Sequence, residues 1–290
     1  MILAAIDIGS NTVKLLVARV EGRKLSPLKE EIAYTRLGEG IGEGKPLSAE
    51  AMVRTVDAAV KFAAAAREAG ASQTVVTATE AARNATNSAE FLHACRSRGL
   101  EVRVLSGEEE ARLSWLGGTL DLPPGPSVVL DVGGGSAEIT AGDGEIVTWS
   151  TRLPLGAVRL RERFLVGAAP ARPGAWTLLE DHVRAALASV PPDLPGTFVG
   201  VGGTVAALAK LAHPKDPLLP LPAERIASMA ALLRTLSPPQ ILALGVPWGR
   251  EDIIAAGAAI VNLAVQHLHR DRLIPVATGL RFGLLRQLAE

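Results

Sequence analysis

Apolar residues run almost unbroken from Ile2 to Ile8 and again from Val13 to Val20. A charged turn at Glu21-Gly22-Arg23-Lys24 then leads into a third extended stretch ending near Leu37. Short β-branched runs bounded by turn residues predict three strands in a meander. The glycine-rich segment Gly38 to Gly44 breaks this pattern, and Ser48 is placed to cap an Ala-rich helix over Ala51 to Ala66. Thr74 to Ala78 reads as a strand, Glu90 to Arg98 as a helix, Val102 to Leu105 as a short strand and Gly107 to Leu116 as a helix. That alternation predicts a layered α/β domain.

Three prolines within Asp121-Leu-Pro-Pro-Gly-Pro126 interrupt any regular element and mark the domain boundary. Beyond them the opening repeats: strand Val128 to Leu130, an Asp-x-Gly turn at Asp131-Val-Gly-Gly-Gly-Ser136, a strand to Thr140, a tight turn at Gly142-Asp143-Gly144, and a strand through Thr151. The Asp-x-Gly turn of the first meander begins at Asp7, 124 residues earlier. A shared order of strand, turn, strand, charged turn and strand favours duplication over coincidence. The rest of the second half is mostly helical, over Leu155 to Phe164, Trp176 to Ala188, Val205 to Ala212, Ala223 to Leu236 and Asp252 to His269. Two short strands, Thr197 to Val201 and Ile274 to Ala277, interrupt the helices, and Pro214 to Pro222 is expected to be an exposed loop.

Composition narrows the function classes. The 290 residues are 48% apolar, enough for two cores, and 30 Lys+Arg balance 30 Asp+Glu. With no net charge there is no global field to draw the protein to DNA, RNA or an acidic membrane, so a polyanion must be held by a local site. A lone cysteine, Cys95, makes no internal disulfide and fits a reducing compartment, with a buried thiol as its expected state. Neither a basic leader nor an apolar run of the ~20 residues that span a bilayer is present, and a cytoplasmic location is expected.

The candidate chemistry lies in the two turns. In Asp7-Ile-Gly-Ser-Asn-Thr12, Gly9 permits a sharp turn whose amides can point at one anionic oxygen, and Ser10, Asn11 and Thr12 add side-chain donors. Gly133, Gly134, Gly135 and Ser136 offer the same in the other half. Two such hairpins would grip a phosphate chain from both sides. An aspartate in each turn suits that role only with a divalent cation between it and the phosphates, so Asp7 and Asp131 imply Mg²⁺ or Mn²⁺.

Five motifs in order carry a resemblance: Ile6-Asp-Ile-Gly-Ser-Asn-Thr12, Ser106-Gly-Glu-Glu-Glu-Ala-Arg112, Asp131-Val-Gly-Gly-Gly-Ser-Ala-Glu138, Leu153-Pro-Leu-Gly156 and Gly200-Val-Gly-Gly-Thr204. Together they resemble the exopolyphosphatase and guanosine pentaphosphate phosphatase (Ppx/GppA) family of the actin and sugar kinase superfamily. The resemblance implies an α/β protein of two ribonuclease H-like domains with the active site in the cleft between them. Residues 1–120 would form the first, with the first turn and the catalytic carboxylate. Residues 121–290 would form the second, its last helix a candidate to pack back on the first. At 290 residues the chain resembles a short form without the family's further C-terminal helical domain.

The resemblance also implies roles. Glu110 matches the carboxylate that orients and deprotonates the attacking water, while Glu108 and Glu109 read as an acidic helix start. Arg83, in Thr79-Glu-Ala-Ala-Arg-Asn84, resembles the arginine that reaches substrate phosphates. Lys14 stands where relatives carry arginine. Glu138 resembles an acidic residue on the metal side of the site, and Gly202, Gly203 and Thr204 the nucleotide-side loop. The implied activity is metal-assisted hydrolysis of terminal phosphate from inorganic polyphosphate, with guanosine pentaphosphate as the alternative substrate. A superfamily kinase and a noncatalytic sensor of polyphosphate or an alarmone are lesser alternatives. A homodimer is the candidate assembly. Arg152, Arg159, Arg161, Arg163 and Arg172 form a basic stretch that reads first as a solvated helix face and second as a polyanion path. Phe282, in Gly279-Leu-Arg-Phe-Gly283, stands where the family often has an acid, which leaves packing as its role.

Overall fold

The computed structural model describes residues 1–40, 45–167 and 171–289, so positions 41–44 of the glycine-rich segment lie outside the described residues. Two compact units divide the chain: Met1–Leu120 together with Thr278–Glu290, and Asp121–Ala277.

In the first unit, β1 (Ile2–Ile8), β2 (Thr12–Glu21) and β3 (Lys24–Tyr34) form the antiparallel meander. After the helix α1 (Ala49–Glu68), capped by Ser48 Oγ accepting from the Ala51 amide, the strand β4 (Gln73–Ala78) returns parallel to β1. Two helices, α2 (Glu80–Asn84) and α3 (Ser88–Ser97), lead to the edge strand β5 (Val102–Val104), and α4 (Gly107–Gly118) follows. The sheet order is β3-β2-β1-β4-β5. β3 ends three residues before Leu37 because Arg36 takes a left-handed conformation, φ 49°, which no strand accommodates.

Alternation along β1 divides the core in two. Ala4, Ile6 and Ile8 face α1 and share a cluster with Val56, Phe62 and Ala66, whereas Leu3 and Ala5 face the other way. Cys95 lies in the first cluster, where burial pushes its thiol up to about 11, so it stays protonated at neutral pH.

In the second unit, β6 (Pro126–Val132), β7 (Ala137–Asp143) and β8 (Ile146–Leu153) repeat the meander. Then come α5 (Ala157–Phe164), α6 (Pro173–Leu187), β9 (Thr197–Val201) and α7 (Gly202–Ala212). The expected proline-rich loop ends in a two-residue strand, β10 (Leu221–Pro222), and α8 (Ala223–Leu233), α9 (Pro238–Ala243), α10 (Ile254–His267) and β11 (Arg272–Pro275) complete the unit. The order β10-β11-β9-β6-β7-β8 contains the first sheet's order, with β6 parallel to β9 as β1 is to β4.

The repeat persists at atomic register. Asp7 pairs across to Lys14 and Asp131 to Glu138. The Gly9 amide donates to the Thr12 carbonyl at 2.9 Å, and the Gly133 amide to the Ser136 carbonyl at the same distance. Even the bulges correspond, between Val17 and Ala18 in one meander and between Ala141 and Gly142 in the other, again 124 positions apart. A bulge sets local twist and strand bend, so two matching bulges give two meanders of one shape.

The last helix, α11 (Leu280–Leu288), belongs to the first unit rather than to the residues 121–277 that precede it. It covers the sheet face opposite α1, where Phe282, Leu284 and Leu285 cluster with Leu3, Ala5, Leu16 and Leu113. Helices α4 and α11 cross at glycine: a Cβ on Gly117 would overlap the Gly279 carbonyl, and one on Gly283 the Leu113 carbonyl. Phe282 is therefore a core residue, and Arg281 fastens the helix by donating to the Leu15 carbonyl at 2.5 Å and to Glu30 at 2.9 Å.

Candidate active site

Each glycine turn follows the first strand of its unit. Asp7 is the penultimate residue of β1, and by alternation it shares the face of Leu3 and Ala5, the face that α4 and α11 cover. Lys14 stands directly opposite Asp7 on β2, a pairing of unlike charges that stabilises the hairpin. Ser10, Asn11 and Thr12 are all buried. The segment after β3 holds this turn from behind: the Arg36 amide donates to the Asn11 carbonyl at 3.1 Å and the Gly38 amide to the Ser10 carbonyl at 2.7 Å.

α4 starts after β5, at the end of the sheet where the parallel strands β1 and β4 also finish. Ser106 and Glu109 form a capping box, the Ser106 hydroxyl accepting from the Glu109 amide at 3.1 Å and the Glu109 carboxylate from the Ser106 amide at 2.8 Å. This occupies Glu109, which also pairs with Arg103 at 3.2 Å. Glu110, one residue on, turns inward and meets Arg83 of α2: Arg83 Nη1 lies 3.1 Å from Glu110 Oε2 and also donates to the Leu105 carbonyl at 2.6 Å. Arg83 and Glu110 are thus an ion pair rather than two independent groups, as the sequence had presented them. Arg83 Nη2 is buried and has no hydrogen-bond partner among the described residues. Sequence reasoning missed Glu80, also buried and accepting from Asn84 Nδ2 at 3.3 Å. Its only signal was an acid at the first position of a short helix.

In the second unit, Asp131 ends the same way as Asp7, but the residue opposite is Glu138. Two acids facing one another are unfavourable, and Arg152 on β8, in register with Glu138 and 3.5 Å from it, offsets the charge. The motif Leu153-Pro-Leu-Gly156 places the start of α5 against the turn. A Cβ on Gly156 would overlap the Gly134 carbonyl, and the amides of Ala157 and Val158 donate to the carbonyls of Gly133 and Gly134 at 3.0 and 2.9 Å.

The third glycine motif joins β9 to α7. Gly202 has φ +88°, and a Cβ there would lie 2.6 Å from Asp131 Oδ1; at Gly203 it would overlap the guanidinium of Arg250. The two glycines make room for a carboxylate and a buried arginine at the N-terminus of a helix. Arg250 is the second residue that sequence reasoning missed, since nothing in Trp248-Gly-Arg-Glu-Asp252 places it beside residue 203. Thr204, by contrast, packs its methyl against Gly257 of α10. Of the histidines, His267 is bonded to the Val190 carbonyl at 2.8 Å and His182 packs on Phe164.

No three His, Cys, Asp or Glu side chains among the described residues come together as a metal site. Mg²⁺ bound through one or two carboxylates, with water and phosphate oxygens completing its shell, requires no such cluster. Asp7 in the first unit and Asp131 in the second are each a carboxylate of the kind that such binding uses. Glu138 offers the same kind of donor, with Arg152 beside it as Lys14 stands beside Asp7.

Two sheets of one order, each with an aspartate and a glycine turn after its first strand, define a two-domain α/β protein of ribonuclease H-like topology. The Ppx/GppA phosphatase family profile matches residues 16–290, and the chain belongs to that family. It is 33% identical to exopolyphosphatase 2 of Mycobacterium tuberculosis, over 93% of this chain and 91% of that one. Exopolyphosphatase 1 of the same organism is 30% identical, covering 98% and 87%. Among solved structures, the Aquifex aeolicus PPX-GPPA enzyme is 31% identical with a TM-score of 0.82 over 99% of both chains. An exopolyphosphatase from Cytophaga hutchinsonii, 22% identical, shares the fold with a TM-score of 0.90 over 100% of this chain and 98% of that one. No helix among the described residues is long and apolar enough to cross a membrane.

Proposed function

We propose that the protein is an exopolyphosphatase, which hydrolyses the terminal phosphoanhydride bond of inorganic polyphosphate. The observation that carries this reading is the Arg83–Glu110 pair at the start of α4, on a chain 33% identical to a mycobacterial exopolyphosphatase. Glu110 is held by a guanidinium instead of by solvent, so its carboxylate keeps one orientation and can take a proton from water. Arg83 Nη2 and the turn amides bind phosphate oxygens, and Lys14 adds charge. Ser10, Asn11 and Thr12 in one unit, and Gly133, Gly134, Gly135 and Ser136 in the other, are the phosphate-binding residues of this reading. Gly202 and Gly203 let the Asp131 carboxylate and the positive charge of Arg250 approach the α7 N-terminus. Asp7 and Asp131 would hold a divalent cation, Mg²⁺ or Mn²⁺, which when bound neutralises phosphate charge.

The test is phosphate release from long polyphosphate, short polyphosphate, guanosine pentaphosphate and ATP, measured side by side with Mg²⁺ and with chelator. Polyphosphate should be the preferred substrate and chelation should abolish release. Glu110→Gln should lower kcat by about 10²-fold or more with little change in KM. Preference for guanosine pentaphosphate would overturn the substrate assignment, and a Glu110→Gln rate near that of the wild type would remove Glu110 as the base.

A further inference from the structure

Three consecutive glycines, Gly133 to Gly135, let a phosphate approach closely, but such a segment is the most mobile backbone a chain can have. Aimed amides then require restraint from outside the turn. α5 supplies it. The Gly133 carbonyl accepts from the Ala157 amide at 3.0 Å, and the Gly134 carbonyl from the amides of Val158 and Arg159 at 2.9 and 3.1 Å. The Gly135 carbonyl accepts from a side chain, Arg159 Nε, at 2.9 Å.

A trans peptide points its carbonyl and the next residue's amide in opposite directions. Holding three carbonyls toward α5 therefore directs the amides of Gly134, Gly135 and Ser136 away from it. None of those three amides donates to a protein acceptor among the described residues. The first two peptides are held by backbone groups that any sequence supplies. The third depends on one side chain.

We propose that Arg159 is a positioning residue, whose Nε holds the Gly135 carbonyl and thereby aims the Ser136 amide at a substrate phosphate oxygen. The proposal rests on the reading that this turn binds polyphosphate. It replaces both sequence-based readings of Arg159, a solvated helix residue or a charge along a polyanion path, with a role that requires a donor at one atom and not a charge.

That distinction makes the test. Gln Nε2 occupies the same place along the side chain as Arg Nε, bonded to Cδ, so Arg159→Gln keeps the donor and removes the charge. Arg159→Met puts a methyl there, and Arg159→Lys keeps the charge but moves the donor one atom further out. With polyphosphate and Mg²⁺, Arg159→Gln should stay within about 3-fold of the wild-type kcat/KM, and Arg159→Met should lose about 10-fold or more, mostly in kcat, at an unchanged melting temperature. Arg159→Lys should fall below Arg159→Gln, which decides the matter even if the Met variant does not fold. Lys above Gln, equal losses in all three, or no loss in Met would overturn the proposal.

Should the wild type release no phosphate from polyphosphate, the proposed function fails separately. Positioning is then read from the Ser136 amide resonance titrated with inorganic phosphate. It should shift in the wild type and in Arg159→Gln but not in Arg159→Lys, and any other pattern counts against the proposal.

Discussion

Replacing Arg83 by Met removes the cation from Glu110 while keeping most of the side-chain volume. Arg83 and Glu110 side chains are 21% and 12% exposed, so the pair is largely but not wholly withdrawn from water. Stripping one partner from a fully buried ion pair costs about 3–5 kcal/mol. Solvent reaching this pair reduces that to about 2 kcal/mol. Losing the bond to the Leu105 carbonyl adds about 1 kcal/mol, since the carbonyl loses its donor. Arg83→Met should then destabilise the protein by about 2–3 kcal/mol. In a Glu110→Gln background no carboxylate is left uncompensated, so the same replacement should cost only about 1 kcal/mol, a coupling of about 1–2 kcal/mol. The assay is a double-mutant cycle by urea unfolding, fitted with two transitions where two are resolved. Additive losses, agreeing within about 0.5 kcal/mol, would refute the inference that Arg83 holds Glu110.

Gly283→Ala would stabilise an ordinary helix by about 1 kcal/mol, yet here the added methyl meets the Leu113 carbonyl, so a net loss of about 1–3 kcal/mol is expected; a rise in melting temperature contradicts the close crossing of α4 and α11. Ser106→Ala removes the hydroxyl of the α4 capping box and should cost about 1 kcal/mol in chemical denaturation, while an unchanged midpoint would show the cap to be idle. Burial, with Arg163 and then Arg159 nearby, holds the His182 pKa below its ordinary 6.5. The unfolded chain takes the proton first, so the stability owed to neutral His182 is present above about pH 6.5 and declines as the pH falls below it. His182→Asn should flatten that part of the stability profile, and equal acid sensitivity in the variant would contradict the assignment.

Much of this was legible in order of residues alone. The unbroken apolar runs that make β1, β2, β6 and β7, the glycines at 9 and 133–135, and the 124-residue repeat are local patterns, and local sterics and short apolar runs bounded by turns suffice to express them. Boundaries slipped where a single backbone torsion decided them, as at Arg36. The short helix α2 and the small strand β10 escaped because neither is long enough to show a period.

Sequence by itself determined the two meanders, their turns and the membership of a phosphatase family, because each is written in contiguous residues. Tertiary structure alone decided who meets whom. It paired Arg83 with Glu110 across 27 positions, gave Glu138 to Arg152, brought Arg250 against Gly203, and put α11 in the first unit. It also turned Arg159 from a member of a charge run into the anchor of one carbonyl. Such contacts depend on which helix face a sheet covers and on where a missing Cβ lets backbone approach. Those are properties of packed elements, to which residues far apart in the chain contribute one atom each.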